Sequence, residues 1–148
     1  MQAKDYLQLP DLMMHNVPVE LSPDVMSAYN RFEREKVLEF KEEHEGEPAN
    51  LLANSAAGLM NKLAQFANGA VYDENREVHE IHSEKVDKLA EIVEAANGSG
   101  VLVFYQFKHD IPRIARKLKG YRVEVYEGEK QLLDWNAGKI DVLLAHPA

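Results

Sequence analysis

Val101-Leu102-Val103-Phe104-Tyr105, running into Gln106-Phe107-Lys108-His109, is a short unbroken apolar stretch of β-forming residues with a polar, basic exit. A run without polar alternation predicts a strand buried on both faces, as in a parallel sheet. Ile111, Ile114, Ala115 and Leu118 then recur at helical spacing and predict a helix over 108–118. Tyr121 to Tyr126 predicts a second strand, and 128–137 a short helix carrying Leu132, Leu133 and Trp135. Ile140 to Ala145 predicts a third strand. Strand and helix alternating over short connections make a right-handed parallel α/β unit. The sequence stops at His146-Pro147-Ala148, three residues past that strand. Parallel strands need helices on both faces. Either the last strand is an edge, or the sequence is a piece of a longer chain; the architecture favours the piece.

Upstream the pattern is helical. Ser22-Pro23-Asp24 combines a hydroxyl cap, a proline at the first helical position and an acid at the positive dipole end. The helix it starts is predicted to reach about Glu42, with Val25, Tyr29, Phe32, Val37 and Phe40 inward. After a polar break at 43–48, Leu52, Ala56, Leu59, Leu63 and Phe66 form the stripe of a second helix over 50–67, closed by Asn68-Gly69. Ala70 to Tyr72 and Val78 to Ile81 read as short extended pieces around the turn Asp73-Glu74-Asn75. Ser83 is placed to cap a third helix, 84–96, with Val86, Leu89, Val93 and Ala96 inward, and Asn97-Gly98-Ser99-Gly100 ends it. Before all of this, Leu12 to Leu21 alternates loosely, which predicts an extended edge piece limited by Pro18.

Composition narrows the function classes. A chain of 148 residues suits one domain of typical size, and 45% apolar with 28% charged residues is globular. With no cysteine, thiolate zinc sites, disulfides and cysteine nucleophiles are excluded. No apolar run approaches the roughly 20 residues of a membrane span, and no basic-then-apolar leader opens the sequence. A soluble, cytoplasmic protein without a membrane partner is the expectation.

Net charge is −8, unfavourable for general nucleic-acid binding. It is also segregated. Asp73 to Glu94 holds eight acids and three bases, whereas Lys108 to Arg122 holds six bases and one acid. The plain reading of that basic segment is a solvated helix face; the sharper one is a directed polyanion contact.

The phosphate loop G-x-x-x-x-G-K-[ST], the dinucleotide motif G-x-G-x-x-G, the G-x-S-x-G elbow and His-Glu-x-x-His are all missing. His79 and His82 are three apart but show no third metal ligand, so hydrogen-bonded loop histidines are the better reading. Glu42-Glu43-His44-Glu45 lacks the alternating ligands of a calcium loop and reads as a solvated helix end. Ligands of open parallel sheets meet the loops beyond the carboxyl ends of strands. Those loops are Gln106 to His109, Glu127-Gly128 and His146-Pro147. The first opens a helix, whose free amides and positive end favour a phosphate.

Val101 to Phe107 resembles the motif opening the second RecA-like lobe of Swi/Snf-type ATP-dependent DNA translocases, in helicase superfamily two. The surrounding pieces resemble that family in the same order. Leu9-Pro10 and Val17 to Ser22 resemble the passage between lobes, Leu59 to Gly69 the leucine-rich helix, and His82 to Leu89 the segment opening the next helix. Tyr126-Glu127-Gly128 stands at an Asp-Gly position, and Ile140 to Ala148 resembles the strand into the fifth motif. Tyr105 replaces a usual serine and Glu127 a usual aspartate.

The resemblance implies an α/β fold: part of a parallel-sheet, RecA-like helicase C-terminal lobe preceded by a helical segment. Residues 1–22 would be a linker from the first lobe, 23–97 a helical lead-in, and 98–148 the β-α-β-α-β part. It implies a fragment of a DNA translocase of bacterial or phage origin that is not an ATPase alone, because the family's Walker motifs and its sixth motif lie elsewhere. Its partners would be double-stranded DNA and the missing first lobe. ATP and magnesium would serve the intact parent, with no cofactor for the fragment. Gln106, Lys108 and His109 are assigned to DNA phosphate contact, Gly128 to close backbone approach and Lys85 to a weaker contact. Arg113 and Arg116 are left to long-range attraction. The rival is a self-contained, non-enzymatic α/β binding module.

Overall fold

In the computed structural model, which describes residues 10–148, the elements run α1 (Pro23–Glu43), α2 (Ala49–Asn68), β1 (Ala70–Tyr72), β2 (Val78–Glu80), α3 (Glu84–Ala95), β3 (Val101–Phe104), α4 (Asp110–Lys117), β4 (Val123–Val125), α5 (Glu129–Asn136) and β5 (Val142–Ala145). Leu9 and the rest of the expected linker before Pro10 lie outside the described residues. The three C-terminal strands are parallel in the order β3-β5-β4. The β3-to-β4 crossover through α4 therefore skips one place, and α5 brings the chain back to fill it. Right-handed crossovers in opposite directions put α4 and α5 on opposite faces. The last strand is neither of the two edges: β5 is central and all four of its residues are buried.

Period two divides the sheet. Val142 and Leu144 face a core with Val86 and Val93 of α3 and Ile114 and Leu118 at α4, against which Val101, Val103, Val123 and Val125 pack. The other face is only partly covered. Leu102 is 48% and Phe104 63% exposed, so the expectation that the 101–105 run is buried on both faces is corrected. The cause is its place in the sheet: β3 is an edge, and Trp135 of α5 comes up against Gly100 just before the strand while Leu102 and Phe104 stay exposed. Ala115 is likewise exposed, not inward, because the buried stripe of α4 runs through Asp110, Arg113 and Ile114 instead.

The helical lead-in follows the pattern of its sequence. The Ser22 hydroxyl accepts the Val25 amide at 3.5 Å. Tyr29 and Phe32 of α1 pack on Phe66 of α2, with ring centroids 5.6 and 4.9 Å away. Gly69 ends α2 in the left-handed conformation at φ 117°. Beyond it β1 and β2 pair as an antiparallel hairpin, with Val71 opposite His79. Two local expectations change. Residues 12–21 form no strand, and Ser83, which stands at the N-cap of α3 as expected, donates its hydroxyl to Asp87 at 2.8 Å and makes no side-chain bond to the helix amides.

Candidate nucleic-acid interface

The hairpin and the end of α2 are fastened to the start of α4 by a buried polar cluster. The Asp110 carboxylate accepts the Phe107 amide at 3.1 Å and the side-chain amide of Asn68. Arg113, 4% exposed, donates to the His82 carbonyl at 2.7 Å and the Asn68 carbonyl at 3.3 Å, and lies 3.6 Å from Asp110. The His109 amide donates to the Tyr72 hydroxyl at 3.0 Å. Gly69 sits against Arg113 and the His82 carbonyl with no space for a Cβ. Desolvating a guanidinium and a carboxylate is costly, and here each is compensated by two hydrogen bonds and by the other's charge.

This cluster changes the expected site. Asp110 and Tyr72 already hold the Phe107 and His109 amides, so the entry to α4 does not offer these free amides to a phosphate. The His109 ring is fully enclosed, stacked on Phe107 at 5.2 Å and tilted against Tyr72 at 4.9 Å. Its Nδ1 lies 3.3 Å from Asp110 without hydrogen-bond geometry. Burial pushes its pKa below the ordinary value, opposed by the Asp110 charge. His109 is therefore withdrawn as a phosphate contact: its side chain packs the hairpin onto the loop and does not face solvent.

Gln106 and Lys85 do come together. Both line a hollow of about 340 Å³ between α3, the end of β3 and the passing segment at Val17 and Val19. Lys108 is exposed and, again with Gln106, lines a neighbouring hollow against the hairpin. Gly128 ends the β4 exit and caps α5, on the far side of β5 from Gln106. It lines none of the hollows that hold Gln106 and Lys85.

The basic segment is largely consumed within the fold. Arg116 pairs with Glu80 at 2.6 Å, Lys117 with Asp87 at 2.6 Å and Arg122 with Asp141 at 2.7 Å. These partners lower the pKa of Glu80 and Asp87 and bring Asp141 to about 2. Arg113 is buried, so the long-range attraction given to Arg113 and Arg116 is mostly neutralised. Lys85, Lys108 and Arg76 have no ion-pair partner among the described residues.

His79 and His82 part company. His79 Nε2 meets Asp73 at 2.7 Å in the open, whereas His82 turns inward to the Phe66 carbonyl at 2.9 Å. Asp73 and Glu77 stand close enough to His79 to share a cation, all within 4.8 Å, a grouping created by the hairpin and invisible in linear spacing. Asp73 also accepts the Asn75 and Glu77 amides, so it shapes the turn. The Asn68–Asp110–Arg113 cluster was missed too. Its one sequence signal is a charged pair at i, i+3 on the apolar side of α4, beside Ile114.

No helix among the described residues is long and apolar enough to cross a membrane. No family model matches the chain. It is 37% identical over 150 residues to protein p41 of Acyrthosiphon pisum secondary endosymbiont phage 1, a match covering all of this chain. The chain spans 31% of that relative's length, so it resembles about a third of a longer phage protein.

Proposed function

We propose that this chain is the DNA-gripping part of the second RecA-like lobe of a Swi/Snf-type ATP-dependent DNA translocase, of phage origin and cytoplasmic. The observation that carries the reading is the meeting of Gln106 and Lys85 in one hollow beyond the carboxyl end of a parallel strand, with Lys108 beside them. Side chains, not helix amides, would hold the phosphates. The incompletely covered face at Leu102 and Phe104 supports a part over a self-contained module. The longer phage relative fits the same reading. ATP and magnesium do not fit the residues present: the sequence has no phosphate loop, and the Phe107 and His109 amides at the entry to α4 are already bonded. No step through ATP is assigned to this chain; nucleotide and first lobe belong to the parent.

Binding of the chain to a labelled duplex across a salt series tests the reading. Affinity should fall as salt rises, with a log–log slope of about 0.9 per phosphate neutralised. Lys108→Glu and Lys85→Glu should weaken binding and flatten that slope. Salt-independent or absent binding by the unaltered chain would remove the reading, as would DNA-stimulated ATP turnover by the pure chain.

A further inference from the structure

We infer that the β1–β2 hairpin is a second arm of the same grip, with Arg76 at its turn contacting the phosphodiester backbone of duplex DNA and Lys62 reinforcing it. The inference rests on the DNA-binding reading above and adds to it an element that sequence patterning read only as two short extended pieces around a turn.

Three observations converge. First, Lys62, Arg76, Gln106 and Lys108 surround one open hollow of about 590 Å³ between the hairpin and the β3–α4 loop. Gln106 also lines the Lys85 hollow, so the two hollows adjoin at Gln106, with Lys85 on one side and Lys108 and Arg76 on the other. Second, Arg76 occupies a left-handed turn position, φ 61°, where glycine or asparagine is the unstrained choice. A long cation at such a site points to a use for its guanidinium. Third, the hairpin is not free to swing. The Tyr72 hydroxyl takes the His109 amide at 3.0 Å, and the Lys62 ammonium donates to the Tyr72 carbonyl. The base of the hairpin that carries Arg76 is thereby fixed to the β3–α4 loop that carries Lys108.

The acids beside it are accounted for. Asp73 is turned to His79 and to two amides of its own turn, which hold its carboxyl below the usual range. Glu74 also lines the hollow, so the track is cationic by a margin and not a deep basic cleft. Such a surface suits a moderate, strongly salt-dependent grip that can be released.

The test is fluorescence anisotropy of a short labelled duplex with the full 148-residue chain over a salt series, comparing Arg76→Gly, Lys62→Gln and Lys130→Gln. Arg76→Gly removes the charge and relieves the backbone, so folding is preserved; its thermal midpoint should match or exceed that of the parent. The expected result is several-fold weaker binding at low salt and a slope smaller by about 0.9. Lys62→Gln should give a smaller loss, and Lys130→Gln, an exposed cation on α5 away from the track, none. Arg76→Gly binding like the unaltered chain, while Lys108→Glu is weakened, overturns the hairpin arm and leaves the DNA reading intact. No binding by the unaltered chain overturns both. Single-stranded DNA or RNA bound in preference to duplex overturns the assignment of the track to a duplex backbone.

Discussion

Replacing Arg113 with alanine should be among the most damaging single changes to a charged side chain in the described structure. Arg113 is 4% exposed, donates to two carbonyls and neighbours the buried Asp110. Truncation leaves that carboxylate without its cation and the Asn68 and His82 carbonyls short of a donor. Removing one partner of a buried pair costs about 3–5 kcal/mol, and the lost carbonyl bonds are not additive with it. A cost of about 4 kcal/mol is a large fraction of the roughly 5–15 kcal/mol that holds a domain together. At about 2–4 °C per kcal/mol the midpoint should drop by about 10 °C. Arg116→Ala is the control: its pair with Glu80 is exposed, and such pairs are worth about 0.2–1 kcal/mol. Urea unfolding followed by circular dichroism gives both numbers, with an unchanged slope confirming a stability effect. Should Arg113→Ala fail to fold, Arg113→Lys keeps the charge but loses the reach to both carbonyls, and should still cost more than Arg116→Ala. If both Arg113 variants cost no more than Arg116→Ala, the cluster is not what fastens the hairpin to α4.

Two further perturbations probe the same junction. His109 has a lowered pKa in the folded state against an ordinary 6.5, so the folded protein binds fewer protons there than the unfolded chain. Its contribution is present above that value and lost as pH falls towards the folded pKa, by at most about 1.4 kcal/mol per pH unit for one proton. His109→Phe should flatten the decline in stability just below neutrality; an unaltered decline would assign it to other groups. Glycine-to-alanine changes should split in sign. Gly69→Ala meets Arg113 and the His82 carbonyl at φ 117° and should destabilise by more than about 1 kcal/mol. Gly58→Ala, within α2 with open space around its Cβ, should stabilise by about 0.4–1 kcal/mol, and equal effects in one assay would contradict this account.

What could be read from the sequence was local. The cap at Ser22-Pro23, the α2 stripe ending at Gly69 and the strand–helix alternation after Val101 are near-neighbour patterns, and the folded elements begin and end within a few residues of them. What escaped was decided by neighbours distant in sequence. Strand order is one case: an apolar run such as 101–105 is the same whether it lies in the middle of a sheet or at its edge, and here it lies at an edge with Phe104 exposed. His109 is another. A histidine beside a lysine in a strand-exit loop looks like an anion contact until Tyr72, 37 residues earlier, closes over it.

Charge shows how far the folded chain redistributes what the linear sequence displays. The acidic stretch 73–94 and the basic stretch 108–122 look like two separate surfaces, one repelling and one attracting a polyanion. Folding sets α3 and β2 beside α4, and the two stretches meet: Glu80 with Arg116, Asp87 with Lys117, and the His82 carbonyl with Arg113. Segregation in sequence thus becomes pairing in space, and most of the apparent positive surface cancels. The cations with no ion-pair partner around the hollows are Lys85 in the acidic stretch, Arg76 at the turn, Lys108 at the strand exit and Lys62 on α2, which donates only to the Tyr72 carbonyl. In a chain of net charge −8 that remainder is small, and the proposed nucleic-acid contact rests on it. The balance also explains why one substitution per site is informative: removing a single cation from so short a track changes a large fraction of its charge, whereas the same change on a broadly basic surface would be lost among its neighbours.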